Sequence, residues 1–233
     1  MNKRKPTHPD IEMLMLVATA LGPLRDQVAF VGGAVTTLYI DDPAAPQSVA
    51  TEDIDCVVEL SNLLSFETLE RKLRQLGFKQ PVPEGNAPIC RWALGEIRVD
   101  VMPTDSKILG FTNRWYTDGL VNRQTKRLPD GTSIFVFSLP YFIASKIEAV
   151  KGRGGNDLRF SHDLEDIVLV ASGASDFEKA FESAPKEVRA YIKKEIEWLS
   201  KNESFNEAIE ASLAARREDL GRAVEVQRRF RTI

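Results

Sequence analysis

Apolar residues follow two different periods along this chain, and the change between them divides it. Up to about residue 138, short apolar runs alternate with turns. Beyond it, apolar residues recur every three or four positions. Val28, Ala29, Phe30 and Val31 form a run that ends at Gly32-Gly33, and Ala34 to Ile40 predicts a helix. Asp41 to Ser48, with two prolines, predicts a loop, and a strand follows over 53–60. Upstream, an amphipathic helix is expected over 11–21, capped by Asp10 and closed at Gly22-Pro23. Phe66, Leu69, Leu73 and Leu76 share one face of a helix from Ser65 to Gly77. Residues 80–88 read as a loop, and Ile89–Leu94 with Ile97–Val101 as a hairpin about Gly95-Glu96. Residues 104–133 show no clear period, and Ser133–Ser138 predicts a strand. Helices are expected over 141–151, 162–171 with Ser161 as N-cap, 175–184, 186–200 and 204–230, and the glycines at 152, 154 and 155 read as a helix stop. The pattern is that of an α/β (α+β) chain, with one domain over 1–138 and a helical one over 139–233.

Composition narrows the class. The 233 residues are 43% hydrophobic and 28% charged, with a formal net charge of −3, as in an ordinary globular protein without a global basic field. Two local basic groups stand out: Arg114, Arg123, Lys126 and Arg127, and the C-terminal Arg216, Arg217, Arg222, Arg228, Arg229 and Arg231. Each is either a phosphate-binding patch or a solvated face. Cys56 and Cys90 lie in apolar runs and read as buried free thiols, and with only His8 and His162 present a zinc site is not expected. The N-terminal apolar run is interrupted by Asp10 and Glu12 and is too short to span a bilayer. No membrane segment is expected, and the location expected is cytoplasmic.

The candidate chemistry lies between Val28 and Leu60. Asp53 and Asp55, two apart on a strand, share a face, while Ile54, Cys56 and Val58 share the other. Paired carboxylates suit a hard cation, and Gly32-Gly33 allows backbone N–H groups to approach phosphate oxygens. In the hairpin's second arm, Ile97, Val99 and Val101 share one face and Arg98, Asp100 and Met102 the other, which makes Asp100 a third candidate carboxylate. Lys146 and Arg153, seven apart, share a helix face and read either as a phosphate clamp or as a solvated pair. On the next helix, the 3.6-residue period sets Asp163 beside the buried face and Asp166 further out.

These residues resemble the DNA polymerase β-like nucleotidyltransferase superfamily: a Gly-Gly, then Asp-x-Asp on the following strand, then a third acidic residue. More narrowly, the chain is similar to the AbiEii-type nucleotidyltransferase toxins, the group that includes the MenT enzymes. Gly32-Gly33 with Asp53 and Asp55 resembles the first motif, Asp100 the second, Lys146-x-x-Ala149-x-x-x-Arg153 the third, and Asp163 to Ile167 the fourth. The resemblance covers about 28–170. It departs from the family in three ways: no Arg precedes the Asp-x-Asp in Val49-Ala50-Thr51-Glu52, the gap from Gly33 to Asp53 is long, and Gly33 stands where a Ser is common.

The resemblance implies a polymerase β-like mixed sheet with flanking helices, followed by a helical domain. It implies transfer of a nucleotide from an NTP to an RNA acceptor, with a tRNA 3′ end as the expected substrate and a cognate antitoxin as partner. Magnesium would be held by Asp53 and Asp55, with Asp100 placing a second ion or acting as a base. Gly32 and Gly33 would seat the phosphates. Lys146 would reach the carboxylates across an interdomain cleft and, with Arg153, neutralise the outer phosphates. Asp163 would orient Lys146 or assist the acceptor, and Asp166 falls within the nucleotide-binding motif. The alternatives are transfer to a protein or small-molecule hydroxyl, and a catalytically silent nucleotide- or partner-binding module.

Overall fold

The computed structural model describes residues 7–60, 62–81, 88–153, 157–213 and 220–233. These residues build a mixed α/β fold with a six-stranded sheet, and the chain groups into two compact units. The first comprises Met1–Val35, Val49–Thr112 and Arg123–Val136. The second comprises Thr36–Ser48, Asn113–Asn122 and Phe137–Ile233, so it takes in two segments that precede residue 139.

In the first unit the sheet is built from β1 (Val28–Val31), β2 (Asp53–Val58), β3 (Arg91–Leu94), β4 (Ile97–Pro103), β5 (Arg123–Arg127) and β6 (Ser133–Phe137), in the order β3-β4-β2-β1-β6-β5. β1 runs antiparallel to β2 and parallel to β6, β2 runs parallel to β4, and β3 and β4 form the expected hairpin. β1 is buried along its whole length, as an inner strand of four apolar residues should be. In β2 the buried Ile54 and Cys56 alternate with half-buried Asp53 and Asp55, which gives the strand one apolar and one acidic face. Helix α1 (Pro9–Leu21) buries Ile11, Leu14, Val17, Ala18 and Leu21, and α2 (Leu63–Gln75) buries Phe66, Leu69 and Leu73. At about 1.5–3 kcal/mol for each large apolar side chain removed from water, such faces supply most of the drive for docking.

Two local expectations change. The cap of α1 is His8, and Asp10 sits inside its first turn, fully buried, where it accepts a hydrogen bond from the Thr51 N–H at 2.9 Å. Thr51 Oγ1 also donates to the Asp53 carbonyl at 2.7 Å, so Thr51 ties the start of β2 to α1. After Gly32, the expected helix is a six-residue 3-10 run, Gly33–Leu38. Its β-branched Val35, Thr36 and Thr37 are poor helix formers.

The second unit is helical. The described elements are α4 (Tyr116–Val121), α5 (Leu139–Gly152), α6 (His162–Gly173), α7 (Phe177–Glu182), α8 (Lys186–Leu199), α9 (Phe205–Leu213) and α10 (Leu220–Thr232), while α3 (Ser106–Leu109) belongs to the first unit. α5 packs on α6 and α8, and α6 packs on α9 and α10. Ser161 caps α6 as expected, accepting from the Leu164 N–H at 3.2 Å. The loop of residues 41–48 is pinned to the end of α6, where the N–H groups of Asp41 and Asp42 donate to the Gly173 carbonyl. A Cβ on Gly173 would meet Ile40 at 2.6 Å and Ala45 at 2.9 Å. The expected single helix over 204–230 corresponds to α9 and α10, and the part over 214–219 lies outside the described residues. So do most of the loop over 80–88 and the glycines at 154 and 155.

Candidate functional site

The acidic face of β2 is built by register. The pairs Val31↔Asp55 on one side and Asp53↔Arg98 and Asp55↔Asp100 on the other place Asp53, Asp55 and Asp100 on the same face of the sheet. Gly32 closes one end of this row. Its φ is +75°, and a Cβ there would fall 2.0 Å from Asp55 Oδ2. The backbone therefore approaches the carboxylate as only glycine permits. Gly33 opens the 3-10 run that follows.

Asp100 has a partner that the sequence reading missed. Arg91 of β3 lies opposite it in the hairpin and grips it with a two-pronged fork: Nε donates to Oδ1 at 2.9 Å and Nη2 to Oδ2 at 2.7 Å. This hydrogen-bonded pair, together with the fields of Asp100 and Asp53, holds the Arg91 pKa above its usual range despite partial burial. Arg98 faces Asp53 across the ladder and pairs with Glu52. The signal for Arg91 was available, since residues flanking a two-residue turn fall opposite one another in a hairpin.

Oxygen donors fit a hard divalent cation, and Asp53 and Asp55 offer them from one strand. The full set expected from the sequence is not assembled. Both oxygens of Asp100 are bound by Arg91, and among the described residues no three His, Cys, Asp or Glu side chains are grouped so as to hold a metal. The thiols lie nearby in the same unit, and both are buried and free. Burial first, and then the charge of Asp100, pushes Cys90 up to about 11. Burial, Asp55 and Asp100 also raise Cys56.

A second cluster lies within the helical unit. Lys146 of α5 places Nζ 3.0 Å from Asp163 Oδ1 and 2.6 Å from Asp166 Oδ2. Thr36 Oγ1 donates to Asp166 Oδ1 at 2.9 Å. Arg153 Nη1 lies 2.7 Å from Asp163 Oδ2, an ionic contact without hydrogen-bond alignment. Lys146, Asp163 and Asp166 are 7%, 3% and 9% exposed. Burial alone would pull the Lys146 ammonium down, but Asp166 and Asp163 more than offset this and raise its pKa. The sequence reading expected Asp166 to point further out than Asp163. Instead both are buried, because α6 is enclosed on several sides, with Leu164, Ile167, Val168, Leu169 and Val170 all buried. Within its own unit Lys146 is held by Asp163, the residue expected to orient it, and by Asp166. Thr36 lay hidden in a run read only as helix-forming.

Several residues of the two basic groups are engaged by neighbours or lie at a sheet edge. Arg123, Lys126 and Arg127 belong to β5, at one edge of the sheet, where charge discourages pairing with another chain. Arg114 stacks over Trp115 and Tyr191, at 4.9 and 5.0 Å from the ring centres. Arg222 pairs with Asp42, and Arg228 and Arg229 pair with Glu178 and Glu225. Arg229 also donates to the carbonyls of Ala171 and Ala174. Residues 216 and 217 lie outside the described residues. No helix among the described residues is long and apolar enough to cross a membrane. The chain matches no protein-family model, and a search of curated proteins finds no match.

Proposed function

We propose that this protein is a metal-dependent nucleotidyltransferase of the polymerase β-like type, transferring a nucleotide from an NTP to RNA. The observation that supports the reading is that Asp53, Asp55 and Asp100 lie on one face of a mixed sheet, with Gly32 against Asp55. Asp53 and Asp55 would hold magnesium, which when bound would draw charge from the triphosphate. Gly32 keeps Asp55 in place by its close approach, and the turn at Gly33 offers backbone N–H groups to phosphate oxygens. Asp100, held by Arg91 through one N–H on each oxygen, would take the proton of an acceptor hydroxyl on a remaining lone pair. The resemblance to the AbiEii-type toxins makes a tRNA 3′ end the acceptor to test first, and a cognate antitoxin the expected partner.

The engaged states of Asp100 and Lys146 favour a second reading, a module that binds a nucleotide without transferring it. Purified protein incubated with magnesium, total cellular RNA and each α-labelled NTP in turn separates them. Label that is retained on a denaturing gel and removed by ribonuclease supports RNA transfer. Label removed only by protease moves the acceptor to a protein, and NTP binding without label supports the silent module.

A further inference from the structure

On β3, β4 and β2 the side chains Arg91, Asp100 and Asp55 stand in one row, each in register with the next. Like charges directly opposed on a ladder repel, so Asp55 beside Asp100 needs a cation nearby. The protein supplies one of its own. The Arg91 guanidinium satisfies both oxygens of Asp100 at 2.9 and 2.7 Å, a planar match that a lysine does not reproduce. Its side chain is 28% exposed and that of Asp100 only 12%, so the fork is partly shielded from water. Arg98, on the same face opposite Asp53, pairs with Glu52. Arg91 thus offsets the charge of Asp100, the carboxylate that faces Asp55 across the ladder.

We infer that Arg91 fills the place beside Asp100 that a second divalent cation would take, so that the site holds a single ion at Asp53 and Asp55. The inference rests on the metal-dependent reading above and changes it from a two-ion site to one ion plus an arginine.

The test is a count of bound Mn2+ by electron paramagnetic resonance, with Mn2+ alone added to the full chain. Wild type binds one ion, and Asp53→Asn loses it. Arg91→Met frees Asp100 and binds two, and adding Asp100→Asn to that variant restores one. Arg91→Lys keeps the charge and binds one, which guards against a misfolded methionine variant. Asp100→Asn alone keeps its ion, whereas an Asp100 that itself bound the metal would lose about tenfold or more in affinity. Two ions in wild type, or one in Arg91→Met, overturns the inference alone, provided Asp53→Asn still abolishes binding. No ion in wild type overturns it together with the metal-dependent reading.

Discussion

Replacing Lys146 with methionine removes the cation held between two buried carboxylates while keeping most of the side chain's volume. Asp163 and Asp166 are left without their ammonium, at 3% and 9% exposure, with Thr36 and the exposed Arg153 as their other side-chain partners among the described residues. Removing one member of a buried ion pair costs about 3–5 kcal/mol, because the remaining charge is stranded away from water. That is a large share of a typical stability of about 5–15 kcal/mol. Arg153→Ala is the internal control. Its side chain is 71% exposed, so the same type of contact is worth at most about 1 kcal/mol. Urea unfolding followed by tryptophan fluorescence measures both, since Trp115 is buried in the helical unit and Trp92 in the sheet unit.

The pH of the measurement follows from Lys146. Against the pull of burial, Asp166 and Asp163 raise its pKa, so its stabilisation is complete below the unfolded lysine pKa and is lost only as pH rises through the folded one, which leaves it constant across neutral pH. A deficit below about 1 kcal/mol at neutral pH refutes the assignment of Lys146 as the centre of a buried charge cluster.

Thr36→Val removes a hydroxyl donor to a buried carboxylate and should cost about 1.5–3 kcal/mol in the same unfolding assay; an unchanged midpoint contradicts the contact. Gly32→Ala combines a φ of +75°, costing about 1–2 kcal/mol for a residue with a Cβ, with a contact of 2.0 Å on Asp55, so Mn2+ affinity should fall along with the melting temperature. At pH 8 both thiols should resist a thiol reagent in the native protein and react fully in urea, because burial raises Cys56 and pushes Cys90 up to about 11; rapid native labelling contradicts this.

The parts of the fold that were legible in the sequence are those with an apolar face or an unbroken apolar run. β2, the β3–β4 hairpin and α2 fall close to their expected spans because they carry an apolar face, and β1 and α5, buried along all or most of their length, because they are apolar runs bounded by turn residues. β5 was not legible. Its sequence, RQTKR, lies at the sheet edge and has no apolar alternation to read. The same-face placement of Asp53 and Asp55 needed only the two-residue period. The Arg91 fork needed the hairpin register, and the Thr36–Asp166 bond joins residues 130 positions apart, which no local pattern reports. Asp166 was misplaced because the helical period gives an angle about the axis, not the number of neighbours that enclose it.

Asp53 offers the most direct measurement of the central claim, since it is half-buried at the start of β2 and its replacement disturbs no apolar packing. The rate of α-labelled nucleotide transfer to RNA should be compared between wild type and Asp53→Asn at matched magnesium, with the unfolding midpoint of each as the reference. Loss of one preorganised electrostatic contact in a reacting site costs about 10²–10³ in rate. The account predicts a fall of that size at an unchanged midpoint, and transfer at the wild-type rate by Asp53→Asn would contradict it.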